Sequence, residues 1–211
     1  MRRLTIVLTS LSALIIAAVV GYWIFIVADA DESKRYKNVS HAMDSTLLDG
    51  EVFTLQQVDA SRGQLGRGTV VTHRWPEDRR KQFIKRIVGV PGDTLSMVNG
   101  VLHVNHRTVR EPYAWHADSV DPVTQDFQWQ RHYLVATVDT ARYIASRNNW
   151  GPIVVPAGQY FVLGDNRDNS LDSRWWGFLP SGDVTGIVRR VFTSSDSLGR
   201  VRWGRLGHLV R

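Results

Sequence analysis

One uninterrupted apolar run opens the chain, and nothing after it has the same length. Residues 4–27 contain no charged side chain and are mostly Leu, Ile, Val and Ala. An α-helix rises ~1.5 Å per residue, so about 20 apolar residues span the hydrocarbon core of a bilayer. The run therefore predicts one transmembrane helix. Tyr22 and Trp23, near its far end, suit the interface, where rings with one wet edge collect. Arg2 and Arg3 precede the run; Asp29, Asp31 and Glu32 follow it, with Lys34, Arg35 and Lys37 beyond. Basic flanks stay on the cytoplasmic side, which places the N-terminus there and the bulk of the chain outside. Ala28-Asp29-Ala30 has the small-x-small form of a leader cleavage site, but the run exceeds the roughly 7–15 residues of a leader's apolar core. The pattern favours an uncleaved anchor over residues 1–30.

Residues 31–39 are a short polar linker, and from Gly50 onward the periodicity changes. Short apolar runs alternate with Gly, Pro, Asn and Asp, which is the pattern of strands and turns. Strands are predicted over 51–55, 69–72, 160–163 and 184–192. The clearest local signal is 94–104, where Asn99-Gly100 sits between apolar, β-prone flanks. Asn-Gly tolerates the two positive φ angles of a type I′ turn, so this is a hairpin. No amphipathic helix is expected outside the anchor. The fold class is mainly β: a transmembrane helix plus an antiparallel β domain over 40–211. Residues 111–158 are less patterned and hold Trp115, Trp129 and Trp150 among several His and Arg. They read either as a partner-binding or lid region or as a decorated hairpin. The last stretch, 200–211, mixes arginines with Trp203 and leucines. It suits lipid headgroups or a solvated tail equally.

Composition narrows the chemistry. With 43% hydrophobic and 22% charged residues the chain is an ordinary folded protein. The absence of cysteine excludes disulfides, thiol catalysis and cysteine metal sites. The 26 Lys and Arg outnumber the 20 Asp and Glu, but they are scattered and no nucleic-acid motif accompanies them. Membrane lipid with anionic headgroups explains the basic balance better, and nucleic acid is not expected as a partner. The 7 His form no H-E-x-x-H pair, and His103 and His106 fall on opposite faces of a predicted strand. No metal or other cofactor is expected.

Three blocks follow the anchor in order. They are Ser40-His41-Ala42-Met43-Asp44-Ser45-Thr46-Leu47, then Phe83-Ile84-Lys85-Arg86-Ile87-Val88-Gly89-Val90-Pro91-Gly92-Asp93, then Gly164-Asp165-Asn166-Arg167-Asp168-Asn169-Ser170-Leu171-Asp172-Ser173-Arg174. Together they resemble the type I signal peptidases, the membrane-bound serine–lysine proteases. The resemblance implies an antiparallel β domain of that type outside a bacterial cytoplasmic membrane, periplasmic or extracellular. It places 111–158 where the family tolerates insertions.

The resemblance also implies roles. Ala42 stands at the nucleophile position and Lys85 at that of the general base. Ser40 matches the serine whose hydroxyl helps bind the oxyanion, and Ser170 the serine that orients the lysine. Asp172 and Arg174 match a bracing ion pair, and Gly164, Asp165, Asn166 and Arg167 the turn that carries these groups. Acyl transfer needs a nucleophile, a base and oxyanion donors. A lysine serves as base only when neutral, and burial among apolar neighbours such as Phe83, Ile84, Ile87 and Val88 favours that form. A lysine in an apolar strand is by itself usually a surface residue; only the whole block from Lys85 to Asp93 reverses that reading.

The departures cluster in the first block. His41 replaces a small residue, Ser45 a common proline, Glu51 the usual aspartate, and Ala42 the serine itself. A methyl group cannot attack a carbonyl, so cleavage by this chain is not expected. One explanation is a pseudoenzyme that serves as a binding or structural subunit beside an integral-membrane protein. Another is an engineered Ser-to-Ala form of an active peptidase that cleaves signal peptides from exported precursors. A third, attack by Ser40 or Ser45, demands a shift of several ångströms where even about 1 Å is costly.

Overall fold

The computed structural model describes residues 14–21, 34–58, 65–116, 121 and 125–210. Contacts divide the chain into Met1–Lys34 and Arg35–Arg211. In the first unit, residues 14–21 are helical. Among the described residues no helix is long and apolar enough to cross a membrane. The remainder of the expected anchor, 1–13 and 22–30, lies outside the described residues.

The second unit is built from strands, as its turn-punctuated pattern predicts. They are β1 Lys34–Lys37, β2 Val52–Gln57, β3 Val70–Trp75, β4 Asp78–Gly89, β5 Thr94–Val98, β6 Val101–Val104, β7 Arg107–Thr108, β8 Trp150–Val154, β9 Gln159–Leu163, β10 Leu179–Pro180 and β11 Val184–Thr193. Seven form one sheet in the order β1-β2-β11-β3-β4-β9-β10; four form another in the order β7-β6-β5-β8. The registered pairs are antiparallel. The expected hairpin is β5–β6, with Asn99 at φ 49° and Gly100 at φ 77°. The one described α-helix of this unit is the single turn Ser173–Trp176.

Successive residues on β3 enter different cores because side chains alternate across a sheet. Val70 packs with Met43, Leu47, Phe53, Leu55, Val188 and Val191 on one face. Val71 packs with Ile87, Tyr160, Val162, Leu179 and Val184 on the other. Segment 111–158 contributes a 3-10 stretch, Gln125–Tyr133, and strand β8. Its Phe127, Tyr143 and Trp150 join Phe161 and Phe178 in the core beneath the smaller sheet.

The C-terminal stretch is not a free tail. Val191 and His208 exchange a main-chain bond, and Val210 packs beside the Met43 core. Arg205 forks onto buried Glu51 at 2.7 and 2.8 Å, and its second nitrogen reaches the Thr46 carbonyl at 2.8 Å. Burial pushes the Glu51 carboxyl up, but Arg205, the Leu48 N–H and Ser194 together hold it below the usual range. Removing one partner of such a pair leaves a buried charge uncompensated. Arg205→Ala should therefore lower unfolding stability by about 3 kcal/mol near neutral pH, read by urea denaturation. Because the Glu51 carboxyl is depressed in the fold, its contribution is present above the unfolded carboxylate range and fades as pH falls through the folded value. An unchanged midpoint would show that the tail does not brace the fold.

Candidate active site

The first block folds as a loop of consecutive turns. Thr46 and Leu47 N–H groups both donate to the Met43 carbonyl, at 3.0 and 2.8 Å. Met43 and Leu47 are buried, so the loop is pinned by its apolar residues. The Asn38 amide closes the neck by donating to the carbonyls of Ser40, Leu47 and Leu48. Ser45 takes φ 89°, which a proline ring, fixed near about −65°, does not reach. Ser45 is thus no neutral replacement in this loop. A local turn bond shapes the stretch before Met43, in which Ala42 N–H donates to Ser40 Oγ at 3.2 Å.

The third block is the loop's other wall. Asn166 N–H donates to the Ala42 carbonyl at 3.1 Å, and the Asn166 amide to the His41 carbonyl at 3.1 Å. Thr46 Oγ1 donates to Asp165, which also receives a fork from Arg86 at 2.8 and 2.7 Å. Arg167 forks onto Glu111 at 3.0 and 2.6 Å and bonds the Gly164 carbonyl. Asp172 forks with Arg174 at 2.9 and 2.8 Å, caps the helix Ser173–Trp176 and accepts from Gly164 N–H. Gly164 allows this approach. A Cβ there would lie 2.5 Å from Ser170 Cβ and 2.6 Å from the Ala42 carbonyl oxygen, closer than real side chains come.

Lys85 reaches the site from β4. It is 4% exposed and pairs across the strands with Val71, on the face that leads into the Val71 core. Its Nζ donates to the Ile84 carbonyl at 3.1 Å and lies 5.3 Å from the Phe83 ring centroid. Burial pushes the ammonium down from 10.5 to about 8; the Asp172 carboxylate opposes that shift and the Arg174 guanidinium adds to it. A substantial neutral fraction near pH 8 is what a lysine base requires. The expected orienting bond from Ser170 is not formed: among the described residues its buried Oγ has no hydrogen-bond partner.

Two participants escaped the sequence reading. Arg86 follows Lys85 and, by strand alternation, faces away from it to clamp Asp165. A buried arginine demands a carboxylate, so the neighbouring Arg was a signal in itself. His73 is fully buried on β3, paired across the strands with Phe83 and against Trp176. Burial lowers its imidazolium to about 4, and nearby Lys85 pushes the same way. Its signal was the alternation Val71, His73, which shares a sheet face with Lys85. Among the described residues no group of three or more His, Cys, Asp or Glu is placed to hold a metal.

The arrangement is a buried amine, a hydroxyl and an ion pair around one backbone loop. The family model described as "Signal peptidase, peptidase S26" matches residues 4–193. The chain belongs to that family. A signal peptidase IB of Staphylococcus aureus (strain COL) is 32% identical over 177 residues, covering 82% of this chain and 85% of the relative. A signal peptidase I of Bacillus licheniformis is 32% identical over 154 residues, covering 72% of each. A crystal structure of a signal peptidase I from Enterococcus faecalis V583 covers 59% of this chain and 97% of that one, at 26% identity and a TM-score of 0.40.

The Lys85 environment predicts a pH signature. Folded Lys85 titrates at about 8 and the unfolded residue near 10.5, so between those values the unfolded chain binds the extra proton. Stability should rise with pH across that window, and the cost of the buried amine should stand in full below it. Lys85→Met should flatten the rise and stabilise the fold by about 3 kcal/mol at pH 7. Urea unfolding at pH 7 and 10 checks both. A variant no more stable than its parent at pH 7 would mean that Lys85 is solvated and charged.

Proposed function

We propose that this member of the signal peptidase family holds peptide segments at the Ala42 loop without cutting them. In this reading it is a membrane-anchored binding or structural subunit. The observation that carries it is a closely braced site whose residue at the nucleophile position is a methyl. Lys85 stands where the base stands, Ser40 at the oxyanion position and Ser170 at the position that orients the lysine. Asp172 and Arg174, with Gly164, Asp165, Asn166 and Arg167, brace the loop. Without a nucleophilic oxygen only the small rate enhancement of binding and oxyanion stabilisation remains. The bound segments are of the signal-peptide class, with small residues at the recognised end. Residues 1–30 anchor the chain in a bacterial cytoplasmic membrane with the β domain outside, against lipid and an integral-membrane partner.

The departure at Glu51 supports a maintained fold rather than simple decay. Its buried carboxylate is matched by Arg205, Ser194 and the Leu48 N–H. The depressed Lys85 favours a second reading, that the chain is a Ser-to-Ala form of an active signal peptidase. Restoring the oxygen separates the two. Under the first reading Ala42→Ser in detergent leaves a fluorogenic precursor peptide uncut although the protein is folded. Under the second, cleavage appears and rises with pH through about 8 as Lys85 loses its proton.

The binding-subunit reading also predicts company. Affinity purification of the full chain from its own membranes in mild detergent should recover an integral-membrane protein in fixed stoichiometry. A free monomer would sink that reading.

A further inference from the structure

We propose that the cavity beside Ala42 is a subsite for one cationic side chain, Lys or Arg, of the peptide held along the loop. The inference rests on the peptide-holding reading above.

The cavity measures about 660 Å³. His41, Asp44 and Asp49 of the loop form one wall, Trp115 another, and Asp196 with Arg202 of the C-terminal stretch the third. His41 and Asp44 flank Ala42 in the chain. A peptide whose carbonyl lies against Ala42 therefore passes the mouth of this cavity within a residue or two.

Trp115 selects the chemistry. The residue is 49% exposed, whereas tryptophan is on average highly buried. Its backbone is fixed on both sides: the N–H donates to the Asp165 carbonyl at 2.8 Å, and its carbonyl accepts from Arg167 N–H at 2.9 Å. The turn that bonds the Ala42 carbonyl thus also presents the indole to solvent. An indole face attracts a Lys or Arg head group.

The charges around the ring point the same way. Three carboxylates line the cavity against one arginine. Asp44 pairs with His41 at 2.9 Å, and Asp196 holds Arg200 at 2.7 Å. Asp49 is exposed, and its carboxylate has no partner among the described residues. Arg202 is turned to the Asp49 carbonyl and Ser194 Oγ, both at 3.3 Å. A cationic side chain lying on Trp115 shares the cavity with the unpaired Asp49; an anionic one shares it with three carboxylates.

Labelled peptides carrying Ala-x-Ala test this, with Lys, Leu or Glu placed at successive positions around that motif. Binding to the full chain in detergent micelles is read by fluorescence anisotropy. Lys at one or two adjacent positions should bind about tenfold tighter than Leu there, and Glu weaker still. Added salt should shrink the difference. Asp49→Asn and Trp115→Leu should each erase the preference; the exposed Asp49→Asn keeps the test decisive should Trp115→Leu fail to fold. Equal binding of all three residues at every position overturns the subsite and leaves the peptide-holding reading standing. A preference for Leu does the same and marks the cavity as apolar. If the folded protein binds none of the peptides, both fall.

Discussion

The fork of Arg86 onto Asp165 holds the rest of the site in place. Each side chain is 1% exposed, and the two meet at 2.7 Å. Arg86 belongs to β4 and Asp165 to the turn after β9, so the pair ties the large sheet to the irregular backbone above it. Thr46 bonds both members, which brings in the loop that carries Ala42. Tyr113 closes the top, with its ring 3.8 Å from the guanidinium carbon. Loss of either charge would leave the other buried and uncompensated, at a cost of about 3–5 kcal/mol. The geometry of Ala42, Lys85 and Ser170 therefore depends on a contact that none of them makes.

The same device recurs because the site is made of loops. Irregular backbone leaves N–H and C=O groups that neither helix nor sheet can satisfy. Here arginine and carboxylate forks fill that need, and each reaches the main chain as well as its partner. Arg167 pairs with Glu111 and bonds the Gly164 carbonyl. Arg174 pairs with Asp172 and bonds the Arg167 carbonyl. Arg205 pairs with Glu51 and bonds the Thr46 carbonyl. Much of the chain's arginine excess on the surface is thus accompanied by a second, internal use of arginine, to fasten loops.

Between these charged clamps lies a face on which burial disfavours charge. Lys85 and His73 both project into the apolar side of the sheet, and burial lowers both, to about 8 and about 4. Desolvation penalises the charged form of each, and their proximity penalises two positive charges together. The Lys85 ammonium stays lowered although Asp172 is near, because Arg174 already occupies that carboxylate. The lowered Lys85 ammonium is the electrostatic feature that this face contributes to the site.

Much of this architecture was legible in the chain. Period-two runs between Gly, Pro and Asn announced the antiparallel β unit, because alternation and turn geometry are local properties. Asn99-Gly100 set its hairpin for the same reason. The order of three blocks pointed to the family. Other features needed the tertiary structure. The turn bond from Ala42 to Ser40 depends on Met43 and Leu47 finding a core formed by distant strands. The unbonded Ser170 hydroxyl, the clamp of Arg86 on Asp165 across 79 positions and that of Arg205 on Glu51 across 154 are non-local as well. Buried charge is decided by what surrounds it in space, and a linear sequence fixes only which charges exist to be paired.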